Sequence, residues 1–274
     1  MLTALQEANI RAEWGKVLED GLVIEPGSAH ELKFPISPQW AVADEAFSGD
    51  RLIPDEIDSL RNNFGWLSRN LIFSTLRNLG STLGTEKMAA LIYAWGVGSR
   101  VGKPELDDRQ IRNAVNRAVW PEIAPIFASL QNSDVLSVTD YQALITSPSF
   151  GGATGINIGY ASKFFYFLEL TMNLGVTDSL QTVKCQIYDS QVRAALENKI
   201  ALAGSIFGPT IWWETDRSLK SGGKWRVPEV PNYWDYFRYC HALEIMAEVT
   251  SKKLGLPVDA DDIEARLFEL GNSY

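Results

Sequence analysis

Two residues have the type and setting to do chemistry together. Lys163 lies in IGYASKFFYFLEL, residues 158–170, ahead of an almost unbroken apolar and aromatic run. A lysine held against such a wall loses hydration, and poor hydration favours the neutral, nucleophilic amine. The plain alternative is a lysine that extends its charged end to water from the first turn of a helix. Asp189 lies in QIYDSQVRAAL, residues 186–196, after two apolar residues and at the start of a predicted helix. An aspartate there is an ordinary N-cap. The interval from Lys163 to Asp189 holds a helix of about three turns, a loop and a return, so the two residues are able to share one cleft.

The other motifs carry less. AWGVGSR, residues 94–100, contains a GxG but lacks the strand before it and the helix after it that a dinucleotide site needs. SGGK, residues 221–224, lacks the full phosphate-loop spacing and reads as a basic surface loop. Cys185 and Cys240 are too few for a disulfide framework and have no metal-type spacing. With His30 and His241 as the only histidines, neither a His-rich metal site nor a Ser-His-Asp triad is expected. No cofactor or metal is implied.

These residues must be positioned by helices, because the dominant apolar period is three to four residues. Helices are expected over 2–18, 54–80, 85–95, 107–120, 139–145, 160–173, 190–203, 231–254 and 259–270. Segments 22–25 and 31–34 are expected to pair as short strands. IGYASK itself reads as a tight turn through Gly159 and Ala161, entering a helix at Ser162–Lys163. The class is mainly α, with at most a small N-terminal β-hairpin. The chain has 274 residues, 46% of them hydrophobic, enough for a large core. No apolar stretch approaches the ~20 residues that span a bilayer, and the first residues lack a signal-peptide pattern. A cytoplasmic protein with no membrane partner is the expectation.

GYASK, an apolar helix and then IYD at a second helix start resemble the helix-hairpin-helix DNA glycosylases, in particular the 8-oxoguanine DNA glycosylase (OGG-fold) type. The family hairpin reads Gly-x-Gly-x-Lys with an aspartate downstream. Gly159, Lys163 and Asp189 match it, and Ala161 stands where the second glycine belongs. Phe165 falls where a small residue packs, and the lysine-to-aspartate interval is longer than in eukaryotic enzymes. The stretches YWDYFRYCHALEIMAEV and DDIEARLFELG also look like OGG-fold proteins of bacterial antiphage loci.

The resemblance implies a helix-hairpin-helix glycosylase-like helical fold. Residues 1–84 with 228–274 would line the base pocket, and 85–227 would carry the hairpin, Lys163 and Asp189. It implies DNA with a damaged or modified base as partner, possible partners among other defence-system proteins, and base release with optional strand cleavage. Lys163 would attack the sugar C1′, and Asp189 would stabilise charge developing on the sugar. Gly159, Ala161, Arg217, Lys220, Lys224 and Arg226 would contact the DNA backbone. Tyr233, Phe237 and His241, on the aromatic helix, would line the base pocket. A net charge of −9 opposes nonspecific attraction to nucleic acid. It keeps open a catalytically idle OGG-fold module that binds a modified nucleobase, a nucleotide or a partner protein in a bacterial defence system.

Overall fold

In a computed structural model the described residues are 2–31, 33–35, 66–79, 92, 125–126, 128–130, 132–146, 158–172, 175–207 and 231–272. They are mostly helical. The chain divides into two compact units, Met1–Ala29 with Val176–Tyr274 and His30–Gly175. The sequence-based division drew its boundaries elsewhere, grouping Asp189 with Lys163. Here Asp189 belongs to the first unit and Lys163 to the second.

The first unit is assembled on long amphipathic helices. Helix α1, Ala4–Glu19, starts at a capping box in which Thr3 and Gln6 exchange side-chain-to-backbone hydrogen bonds. Ile10, Trp14 and Leu18 recur on one face and are buried. The Trp14 indole N–H donates to Thr250 Oγ1 at 2.9 Å, so its one polar atom is satisfied inside the core. Thr250 lies on the unit's longest helix, Tyr233–Leu254, which Asn232 caps and Gly255 ends at a φ of 67°. That left-handed conformation is the usual helix stop, and it suits glycine.

The last helix, Ala260–Asn272, packs on this long helix and on the Asp189 segment. The Asp262 carboxylate accepts the backbone N–H groups of Ala29 and Asp259, closing the turns around its start.

In the second unit, β1 (Lys33–Pro35) pairs antiparallel with β2 (Trp66–Ser68). Helix α2, Arg69–Leu79, follows directly, with Ser68 Oγ accepting the Leu71 N–H at 3.1 Å. Strand β3 is Val135–Leu136. Helix α3, Val138–Thr146, begins at Ser137, whose Oγ accepts the Asp140 N–H. Helix α4, Ile158–Met172, packs against α2 and α3, and Phe164 to Leu168 are all buried. The rings of Phe73 and Tyr141 meet those of Tyr166, Phe167 and Phe165. Strands β4 (Gly175–Thr177) and β5 (Thr182–Lys184) complete a small sheet in the order β3–β4–β5. The chain passes from the second unit to the first within β4.

Among the described residues the first unit also contains the helices α5 (Ser190–Ala194) and α6 (Ala203–Phe207), followed by its longest helix, α7 (Tyr233–Leu254), and its last, α8 (Ala260–Asn272).

Several expectations need correction. The three-stranded sheet was not anticipated, and the small N-terminal hairpin was expected to be the only strand pair. Residues 22–25 form no strand, and β1 finds its partner at 66–68 instead. The helix expected over 54–80 is helical only from Arg69 among its described residues, because 66–68 pair as a strand. Helix α5 is shorter than 190–203. It passes into a single π-helical turn, Ala195–Lys199, and Ala201 then takes a φ of 53°. Gly159 and Ala161 do not form a turn before a helix; α4 already runs from Ile158, so both lie in its first turns. The helices expected over 85–95 (save Ile92) and 107–120 lie outside the described residues.

Candidate active site

Lys163 resolves one of its two alternatives. Its side chain does not extend into solvent as a surface lysine does: the residue is 5% exposed. Nζ donates to the Gly159 carbonyl, one helical turn back, at 3.2 Å. Ser162 Oγ donates to the same carbonyl at 3.3 Å, so Gly159 O gathers two side-chain donors at the N-terminal end of α4. Around the lysine, Ala161, Phe164, Phe165 and Phe167 are buried. This is the desolvated setting, the first of the two alternatives that the apolar run left open.

A buried arginine, missed in the sequence, meets the same helix. Arg69 opens α2 and is 1% exposed. Its guanidinium carbon stands 4.9 Å from the centre of the Tyr166 ring, and Nη1 donates to Tyr166 Oη at 3.3 Å. Tyr166 is one turn beyond Lys163, so Arg69 adds positive charge to this part of α4. Arginine stacks on aromatic faces more readily than lysine, which suits it to this position. The sequence signal was slight, a lone arginine after a capping serine.

Asp189 is 9% exposed and is a true N-cap. Its backbone is extended, at φ −113° and ψ 178°, and its Oδ1 accepts the N–H groups of Gln191 and Val192 at 3.0 and 3.1 Å. These are donors that a helix start leaves without partners. The segment before it is fully enclosed: Cys185 to Tyr188 are each 1% exposed or less. From the other side, α8 approaches so closely that a Cβ on Gly271 would lie 2.6 Å from the Gln191 carbonyl carbon.

The aromatic helix α7 is placed differently from a row of open stacking faces. Tyr233, Tyr236 and Tyr239 use their hydroxyls on backbone. Tyr233 donates to Thr177 O at 2.7 Å, Tyr236 to Gln186 O at 2.7 Å and Tyr239 to Ile187 O at 2.6 Å. Tyr233 and Tyr236 also accept the N–H groups of Thr177 and Gln186. Phe237 is fully buried, and its ring centre is 5.9 Å from that of His241. His241 is 9% exposed, and burial holds its imidazole below the usual histidine range. Its Nδ1 is enclosed with no hydrogen-bond partner among the described residues.

The remaining expected contacts, Arg217, Lys220, Lys224 and Arg226, lie outside the described residues. Among the described residues no group of three or more His, Cys, Asp or Glu side chains is arranged to hold a metal ion. No described helix is long and apolar enough to cross a membrane. Comparison with family models, with curated proteins and with solved structures found no match.

Proposed function

We propose that the chain is a DNA glycosylase of the helix-hairpin-helix, OGG-fold type, with Lys163 as nucleophile and Asp189 as its acidic partner. The observation that carries the reading is the burial of Lys163 at the start of an apolar helix, bonded to a backbone carbonyl. Burying a cationic side chain is costly, and a position that serves packing alone has no need of one. In the proposed reaction a target nucleotide is flipped out of the stack. The Lys163 amine bonds to C1′ as the glycosidic bond breaks, its electron pair leaving with the base. Loss of the amine proton and opening of the sugar ring give a Schiff base, and loss of a C2′ proton then expels the 3′ phosphate. Asp189 stabilises the positive charge that develops on the sugar. Action on modified phage DNA, in antiphage defence, is the biological setting proposed.

The test is a panel of duplex and single-stranded oligonucleotides carrying oxidised, alkylated and hypermodified bases, scored for abasic-site formation. Base release from at least one of them, lost in Lys163→Gln, supports the reading.

A second reading is favoured by the net charge of −9. In it the same fold is catalytically idle and binds a modified nucleobase, a nucleotide or a partner protein. Saturable binding of a free nucleobase or nucleotide, without base release from any oligonucleotide, decides for it.

A further inference from the structure

The segment that delivers Asp189 is held by side chains that no feature of the Lys163–Asp189 motif includes. Residues 185–189 belong to no helix or strand, so they have no regular structure of their own to fix them. Its polar groups are buried and must find partners. Two tyrosines on α7 supply them. Tyr236 Oη both donates to the Gln186 carbonyl and accepts the Gln186 N–H, at 2.7 and 3.2 Å. Tyr239 Oη donates to the Ile187 carbonyl at 2.6 Å.

Beyond that carbonyl only the torsions of Tyr188 and the φ of Asp189 intervene before the carboxylate-bearing carbon. Tyr188 is itself fixed: its ring meets Tyr239 edge-on at 5.0 Å and Phe207 at 6.4 Å, and it is fully buried. From α8, the Asp261 carboxylate accepts the Gln186 amide at 3.0 Å. Burial, and then the nearby Glu264, push the Tyr239 hydroxyl well above its usual range, which favours the protonated form that donates.

We propose that Tyr239, assisted by Tyr236, is a positioning residue for Asp189. Its hydroxyl fixes the Ile187 carbonyl and thereby the place of the Asp189 carboxylate at the head of α5. The aromatic helix then serves the site through its hydroxyls and not only through its ring faces. The structural part of this inference is independent of the reaction; its kinetic part rests on the glycosylase reading.

The experiment compares the full chain with Tyr239→Phe and Tyr236→Phe, which remove one oxygen each and keep the ring. Amide hydrogen exchange of Gln191 and Val192 reports the cap directly, because Asp189 Oδ1 is what those N–H groups bond. Amides of Ile10 to Leu18 in α1 are the internal reference. Tyr239→Phe is expected to speed exchange at 191 and 192 about tenfold while α1 is unchanged, a change of ~1.4 kcal/mol in local opening.

On an oligonucleotide that the wild type processes, single-turnover base release should fall about tenfold with DNA affinity unchanged. In the Asp189→Asn background Tyr239→Phe should slow release no further. Unchanged exchange at 191 and 192 overturns the proposal, as does equal acceleration in α1. A tenfold exchange effect with an unaltered release rate overturns its functional part. If the wild type releases no base from any oligonucleotide, the glycosylase reading fails, and the exchange measurement still decides the structural claim.

Discussion

Gly271 offers a sharp test of how the Asp189 helix is seated. Replacing it by alanine adds one methyl group at the last turns of α8. That carbon would lie 2.6 Å from the Gln191 carbonyl carbon, 3.0 Å from its Cα and closer still to its oxygen. These three nearest atoms are all main chain, so no flexible side chain is there to yield. Two effects oppose each other. Alanine is the better helix former by up to ~1 kcal/mol, and by less near a helix end. Overpacking into rigid surroundings costs ~1–3 kcal/mol, and a collision with backbone falls at the upper end. The clash wins, for a net loss of about 2 kcal/mol. Because the chain forms two units, a global melt would mix their transitions. Hydrogen exchange of peptides covering 190–199 and 260–272 reads the contact locally. A loss of ~2 kcal/mol makes exchange there about 30-fold faster. Unchanged protection in both peptides would refute the close approach of α8 to Gln191.

Three further outcomes follow from the same geometry. Trp14→Ala empties a fully buried site and removes the donor to Thr250, and should cost ~3–5 kcal/mol in a urea titration of the first unit; a loss under 1 kcal/mol would contradict its central place. His241 binds its proton less readily folded than unfolded, so stability is full above the unfolded value near 6.5 and falls as pH drops through that value toward the lower folded one. His241→Phe should flatten urea midpoints across this window; an unaltered pH dependence would exclude a buried neutral imidazole. Asp189→Asn keeps a side-chain acceptor for the Gln191 and Val192 N–H groups, so it should lower stability by ~1 kcal/mol or less in the same titration while cutting base release strongly; a loss above 3 kcal/mol would mean the carboxylate is chiefly structural.

What was legible in the sequence was what local chemistry controls. Asp189 caps the helix that its position announced, and the helices expected over 2–18 and 231–254 appear at Ala4–Glu19 and Tyr233–Leu254, where the apolar period places them. β1 overlaps the strand expected over 31–34, but its partner and the other strands escaped notice because two or three residues are too few to establish a period of two. The tight connection in VTDSLQTV depends on Asp178 Oδ1 accepting the Leu180 and Gln181 N–H groups, a turn device that also occurs without flanking strands. The π-helical turn at 195–199 has no composition signal.

At the site, the apolar run after Lys163 left open whether the lysine would be enclosed or would extend to water. The tyrosines of α7 were legible as aromatic mass and not as hydrogen-bond donors. Their partners at 177, 186 and 187 lie some fifty residues earlier, and only the fold brings them within reach.

As the proposed nucleophile, the Lys163 amine becomes covalently joined to a sugar. The most direct measurement is borohydride reduction of the protein on a duplex carrying an abasic site or a processed modified base, followed by proteolysis and mass spectrometry. A reduced sugar adduct is expected on the peptide containing Lys163, absent from Lys163→Gln although that variant keeps its helical circular dichroism. An adduct on another residue, or undiminished trapping in Lys163→Gln, would contradict it.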